Sequence, residues 1–272
     1  MSVWSIAAKG RRAGKSKWFE RLGRAGLVAK GVLYAVVGIL AFKVALGGRE
    51  ESPDRTGALR TIAEQPLGKG LLVLLAIGLA AYALWRLAQA VLDRDDEGEG
   101  VKGLAKRAGF LGRAAWYATL CGLTVAKLAG AGESGGNEKQ TTGGVLAMPL
   151  GRYVVLGVGL AFLGAAAFNG YRAITCKFNK KLKTGQMNDA EEAGATGVGI
   201  LGHLARGIVF GLIGAFLVKA AWEFDPKEAV GLDGALLEVA QQPHGGLLLG
   251  SVAVGLMAYA VYCLVQARYR KI

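Results

Sequence analysis

Gly57 to Ala90 reads GALRTIAEQPLGKGLLVLLAIGLAAYALWRLAQA, and Gly234 to Ala267 reads GALLEVAQQPHGGLLLGSVAVGLMAYAVYCLVQA. Laid side by side without a gap, the two stretches agree at 18 of 34 positions. Each has a short polar lead that closes in Gln-Pro, then more than twenty mostly apolar residues with aromatics and a glutamine at the far end. About 20 apolar residues at 1.5 Å rise span the ~30 Å hydrocarbon core of a bilayer, and backbone amides in lipid must bond within their own segment. The repeated unit therefore contains a membrane-crossing helix, and the chain is an internal repeat.

Outward from this unit, the composition agrees. Apolar residues make up 53% of the 272-residue chain and charged residues only 19%, with 43 glycines, too apolar a balance for a soluble domain of this length. Apolar segments fall at about 24–46, 70–92, 108–130, 151–173, 200–222 and 246–267. The expected fold is an all-α membrane protein with six transmembrane helices, arranged as three helical hairpin repeats of one orientation. Along the chain this gives a basic cytoplasmic tail at 1–21, hairpin repeat 1 at 22–93, a charged linker at 94–107, hairpin repeat 2 at 108–176, a basic linker at 177–197 and hairpin repeat 3 at 198–272. Because each hairpin crosses twice, the pattern is not the inverted repeat of many transporters.

The formal net charge of +13 invites a nucleic-acid reading, but its distribution argues against one. With the N-terminus inside, the inner segments hold 23 Lys/Arg against 9 acids and the outer segments 10 against 11. That is the positive-inside asymmetry, and it predicts a multi-pass protein of the cytoplasmic (inner) membrane with both termini cytoplasmic. The expected partners are the lipid bilayer, anionic headgroups at the cytoplasmic face, and a membrane-protein partner or a second copy of the chain, with no nucleic acid. Cys121, Cys176 and Cys263 form no CxxC pair and are expected as free thiols.

Three odd-numbered spans share one stripe, glycine, basic, aromatic and small residues at steps of four: Gly26, Lys30, Tyr34, Gly38; Gly109, Arg113, Tyr117, Cys121; Gly202, Arg206, Phe210, Gly214. Steps of four keep such residues on one helix face, where small side chains admit a neighbouring backbone. The second and sixth spans carry the matching Gly78 and Tyr82, and Gly255 and Tyr259. The fourth span has Ala161, Ala165, Phe168 and Arg172 in the corresponding places. Tyr82 and Tyr259 lie deep enough that their hydroxyls need partners, expected across helices.

Polar groups inside spans are functional candidates by default. Lys43, Lys127 and Lys219 close the three odd spans, each five residues after Gly38, Gly122 and Gly214. They either snorkel to the headgroups or ring an axial opening that draws anions. Arg86 and Asn169 sit nearer the cytoplasmic end of their spans, where snorkelling or a helix-to-helix hydrogen bond is favoured. Catalytic chemistry has no foothold: His203 and His244 lack metal-ligand spacing, HExxH is absent, the GxSxG match at Gly132–Gly136 falls in a Gly/Ser-rich loop instead of a strand-to-helix turn, and GRRAGKS at Gly10–Ser16 fails the phosphate-loop spacing. The sequence thus points to no enzyme, no cofactor and no metal.

GRAGLVAKGVLYAVVGIL at Gly23–Leu40, the proline-led QPLGKGLL and QPHGGLLL, and the endings YALWRLAQA and YAVYCLVQARY resemble the bacterial membrane proteins grouped as domain of unknown function 1206. The resemblance covers nearly the whole chain and is strongest in repeats 1 and 3. It implies a multi-span membrane protein and supplies no catalytic residues. Two functions fit the sequence: a non-enzymatic scaffold, envelope or partner-binding component, and a pore or carrier for a small solute or anion.

Overall fold

The computed structural model describes residues 17–47, 68–92, 100–129, 143–225 and 232–270. Their helices are α1 (Lys17–Ala45), α2 (Gly68–Val91), α3 (Val101–Leu128), α4 (Gly151–Thr175), α5 (Asp189–Glu223), α6 (Leu232–Gln241) and α7 (Gly245–Tyr269). No β-strand occurs among the described residues. The basic tail, the segment around Leu59 and Ile62, the acidic run Asp93 to Glu99 and most of the Gly130 to Gly144 loop lie outside the described residues.

Five helices are long and apolar enough to cross a membrane: α1 from Glu20 onward, α2, α4, α5 and α7. The chain therefore has the elements of a multi-pass membrane protein. At 28 residues, or about 42 Å at 1.5 Å per residue, α3 has the length of a span. It is not among the five, and it carries Lys102, Lys106, Arg107, Arg113 and Lys127.

The described residues gather into two compact units, one of 17–31, 68–92, 100–129 and 263–270, the other of 32–47, 143–225 and 232–262. Within the first, α1 and α2 run antiparallel, since Gly26 meets Tyr82 while Ala29 meets Gly78. The approach is close: a methyl group on Gly26 would stand 2.6 Å from Tyr82 Cα, and one on Gly78 2.5 Å from Ala29 Cβ. α3 meets α2 where Cys121 Sγ donates to the Ala76 carbonyl at 3.4 Å.

In the same unit, two arginines satisfy carbonyls that a helix leaves unpaired in its last turn. Arg24 of α1 donates to the carbonyls of Ala267 and Arg268 at 3.0 and 2.8 Å, closing the end of α7. Arg107 of α3 donates to those of Ala90 and Val91 at 2.7 and 3.3 Å, closing the end of α2. Ala90 and Ala267 are paired positions of the 34-residue repeat, and Arg24 and Arg107 both precede a stripe glycine by two residues, so one contact is made twice. A cation at a helix C-terminus also meets the negative end of the helix dipole, typically about 0.3–1 kcal/mol at an exposed site.

In the second unit, α5 and α7 reproduce the α1–α2 interlock. A methyl on Gly202 would lie 2.6 Å from Tyr259 Cα, and one on Gly255 2.5 Å from Ala205 Cβ. The outer-end glycines of the stripe serve another seam: Gly38 faces the Ala253 carbonyl and Met257 of α7, and Gly214 faces the Gly159 carbonyl and Leu163 of α4. By the repeat spacing these are the same positions that pair Cys121 with Ala76.

The proline-led corners also have a common geometry. Gly151 N donates to Met148 O at 2.9 Å and Gly245 N to Gln242 O at 2.7 Å, each closing a four-residue turn with proline second. Leu150 (φ 65°) and His244 (φ 63°) sit third, in the left-handed region of a type II turn. The proline thus stands in the turn ahead of the helix, not in its first helical position. A side chain at Gly151 or Gly245 would collide with the carbonyl of Val145 or Ala240, which explains the glycine after Pro-Leu and Pro-His.

Between α4 and α5 the structure departs from the expected solvated basic linker. Phe178 and Leu182 are 0% and 1% exposed, held by two 3-10 turns, Asn179–Lys181 and Thr184–Gln186. α5 starts at Asp189, ahead of the expected repeat boundary at 198, because Asn188 and Glu191 form a capping box, with Asn188 Oδ1 accepting from Glu191 N at 2.8 Å and Glu191 Oε2 from Asn188 N at 3.1 Å.

Candidate functional site: two cation–aromatic clusters

The buried polar side chains concentrate around the two repeated tyrosines. In the first unit, Tyr82 is 1% exposed, with its ring edge-on to Tyr117 at 4.5 Å and to Trp85 at 5.6 Å. Its hydroxyl accepts from Arg86 Nη2 at 2.7 Å, while Arg86 Nη1 donates to Gln89 Oε1 at 2.7 Å. Arg86 therefore does not snorkel: it is 5% exposed, and its hydrogen bonds go to residues of its own helix one turn either way. Its guanidinium also lies 4.5 Å from the Trp85 ring centre and 5.6 Å from that of Phe110. Lys30 of the stripe is buried too, with Nζ 5.7 Å from the Tyr82 ring centre, and Arg270 Cζ is 4.8 Å from that of Trp85. Each desolvated cation–ring contact contributes up to about 2 kcal/mol.

In the second unit, the hydroxyl of Tyr259 accepts from Arg206 Nη1 at 2.6 Å, a bond from α5 to α7. The Arg206 guanidinium stands 4.4 Å from the Tyr259 ring centre, 5.0 Å from Phe210 and 5.5 Å from Tyr34. Repeats 1 and 3 thus give the same tyrosine a cationic donor from different helices. At the position of Arg86 repeat 3 has the buried Cys263, and the odd helix supplies the arginine instead. A recess of about 10 Å³, room for about one water, is lined by Arg206 with Leu33, Tyr34, Val37, Val209, Phe210 and Leu256.

Beside this cluster lies a histidine that the sequence offered only as a metal ligand without partners. His203 is fully buried, stacked on Phe178 with ring centres 4.9 Å apart and planes 7° apart, and edge-on to Tyr262 at 5.3 Å. Its Nδ1 is 2.7 Å from the Gly199 carbonyl, which can only accept, so Nδ1 carries the proton. Phe178 could be found in the sequence only as an aromatic in a basic segment, a weak signal.

The other candidates are dispersed. Lys43 and Lys219 are exposed, Lys127 is half-buried, and none lines the recess around Arg206. Asn169 is 6% exposed and donates from Nδ2 to Ala165 O at 2.7 Å, a bond within α4. All three cysteines are free thiols. Among the described residues no group of His, Cys, Asp or Glu is placed to hold a metal. The two clusters offer fixed cationic donors and aromatic faces, an arrangement suited to packing and anion recognition.

A helical chain with repeated Gly–Tyr interlocks and membrane-length helices defines a class, a repeat-built helical membrane protein. The particular family follows from comparison: the model for the Domain of Unknown Function DUF1206 matches three times, at residues 25–93, 108–175 and 201–270, and the chain belongs to that family. It is 35% identical over 271 residues to the uncharacterized protein YxxB of Bacillus subtilis (strain 168), covering 97% of this chain and 98% of that one. No solved structure matches.

Proposed function

We propose that this DUF1206 protein is a non-enzymatic scaffold or partner-binding component of the bacterial cytoplasmic membrane, with six spans and both termini cytoplasmic. α3 serves as the sixth span: Lys102, Lys106 and Arg107 lie near one end and Lys127 at the other, where long side chains reach headgroups. The observation that carries the scaffold reading is the repeated helix interlock: a methyl on Gly26 or Gly78 would stand 2.4 or 2.5 Å from the neighbouring helix, and one on Gly202 or Gly255 2.6 or 2.5 Å. These repeated faces are built for packing.

The test is reconstitution into vesicles, with chloride, phosphate and small organic anions as probes. Permeability equal to that of empty vesicles is expected. Flux above that background that disappears in a Lys43→Gln, Lys127→Gln, Lys219→Gln variant would overturn the scaffold reading in favour of an anion pathway.

A further inference from the structure

Of the membrane-length helices, α4 is the least covered. Along its most apolar 18 residues only 17% are buried, against 61% in α1 and α2, 50% in α7 and 33% in α5. Its buried residues, among them Val155, Gly159, Asn169 and Ala173, share one side, on which Gly159 meets Gly214 of α5. The opposite side is apolar and open. Leu160 and Phe168 are exposed there, and a methyl added at Gly157 or Gly164 would meet nothing among the described residues within 4 Å.

Both ends of this open side carry rings and cations. Tyr153 and Tyr171, 67% and 46% exposed, are five whole turns apart, so they stand on one line of the helix with about 27 Å between them. Next to Tyr153, Arg152 donates from Nη2 to the Trp222 carbonyl at 3.3 Å, with its guanidinium 5.9 Å from the Trp222 ring centre. At the other end Lys177 Nζ donates to the Tyr171 hydroxyl, and Arg172 Cζ lies 5.7 Å from the Phe168 ring centre. Tyrosine and tryptophan rings settle at headgroup level and long cationic side chains reach it, while the hydrocarbon between the two headgroup layers is about 30 Å thick. The packing device of the other repeats is missing from α4: Ala161 and Ala165 stand where α2 has Gly78 and Tyr82 and α7 has Gly255 and Tyr259.

We propose that the open side of α4 is a phospholipid contact surface, with acyl chains covering it between Tyr153 and Tyr171 and headgroups of the two leaflets meeting the ring and cation pairs at its ends. This goes beyond the scaffold reading and does not depend on it. The competing occupant is a helix of a second copy or of another protein, which the small residues Gly157, Ala161 and Gly164 would admit.

Photo-cross-linking of the full-length protein separates the two. Benzoylphenylalanine replaces Leu160 or Gly164 singly, the protein is irradiated in vesicles of phosphatidylcholine and phosphatidylglycerol, and the products are resolved by gel and intact mass spectrometry. The main product at each position is expected to be the protein plus one phospholipid. The same label at Val155, which faces the buried side, should give about tenfold less lipid adduct. Should the Val155 variant fail to fold, Ala190, exposed in the first turn of α5, serves as the control. Irradiation in membranes of the expressing cells should again give lipid adducts. A cross-linked second copy or another polypeptide as the main product from Leu160 or Gly164, in either setting, overturns the proposal. So does lipid labelling at both positions no higher than at the control.

Discussion

Replacing Gly202 by alanine and Gly211 by alanine is the same chemical change on one helix, yet the structure gives the two opposite signs. At Gly202 the new methyl would stand 2.6 Å from Tyr259 Cα, 2.7 Å from its Cβ and 2.9 Å from its Cδ2. Carbon atoms rest at about 3.5–4.0 Å, so α5 and α7 must part by about 1 Å at their tightest point. Backbone atoms cannot swing aside as a flexible side-chain tip would, and overpacking of this kind costs about 1–3 kcal/mol. At Gly211 the nearest atom is Ala166 Cβ at 3.8 Å, an ordinary contact. There the methyl fits and the better helix propensity of alanine contributes about 0.5–1 kcal/mol. The two variants should therefore differ by about 1.5–4 kcal/mol, with Gly202→Ala less stable and Gly211→Ala equal to or more stable than the wild type. Equilibrium unfolding in mixed micelles of maltoside and sodium dodecyl sulfate, followed by circular dichroism, measures both. If Gly202→Ala is as stable as Gly211→Ala, the Gly–Tyr interlock is not what holds these helices together.

Tyr259→Phe removes the acceptor of the 2.6 Å bond from Arg206 and is expected to cost about 1.5–3 kcal/mol, the range for hydrogen bonds to charged groups. A double-mutant cycle with Arg206→Met should show coupling, and strictly additive losses would refute the pairing. Phe178→Ala empties a fully buried site stacked on His203 and is expected to destabilise by about 3–5 kcal/mol. A loss below about 0.5 kcal/mol in the same unfolding assay would mean that the segment after α4 is not anchored by this ring.

Much of the fold was legible because lipid leaves the backbone few options. Apolar length placed the helices, and the two copies of the 34-residue unit showed that one packing solution is used again. The step of four from Gly26 to Gly38 and from Gly202 to Gly214 marked a single face, and those four glycines all turned out to be points of close helix approach. Repeat 2 was the weak copy for a visible reason: with Ala161 and Ala165 in place of the Gly–Tyr pair it lacks the partner that Gly26 and Gly202 have. The charges on α3, Lys102, Lys106, Arg107, Arg113 and Lys127, were equally visible.

Periodicity reports which residues share a face, however, and is silent on what covers that face. Nothing in the order of residues says that Arg24 reaches the end of α7, or that Arg107 makes the equivalent bond to α2. Nor does it say that Arg86 turns back along its own helix to Tyr82 and Gln89, where depth in the span suggested snorkelling. The burial of Phe178 against His203 was hidden among lysines, since local composition records the charge of a segment and not the one ring that leaves water. The sequence by itself determined the helices, their repeat and the small-residue faces, because these depend on spacing along one chain. The tertiary structure alone decided the arginine caps, the two cation–tyrosine clusters and the buried histidine stack, because each depends on groups brought together from distant positions, or on a side chain choosing between water and a neighbour.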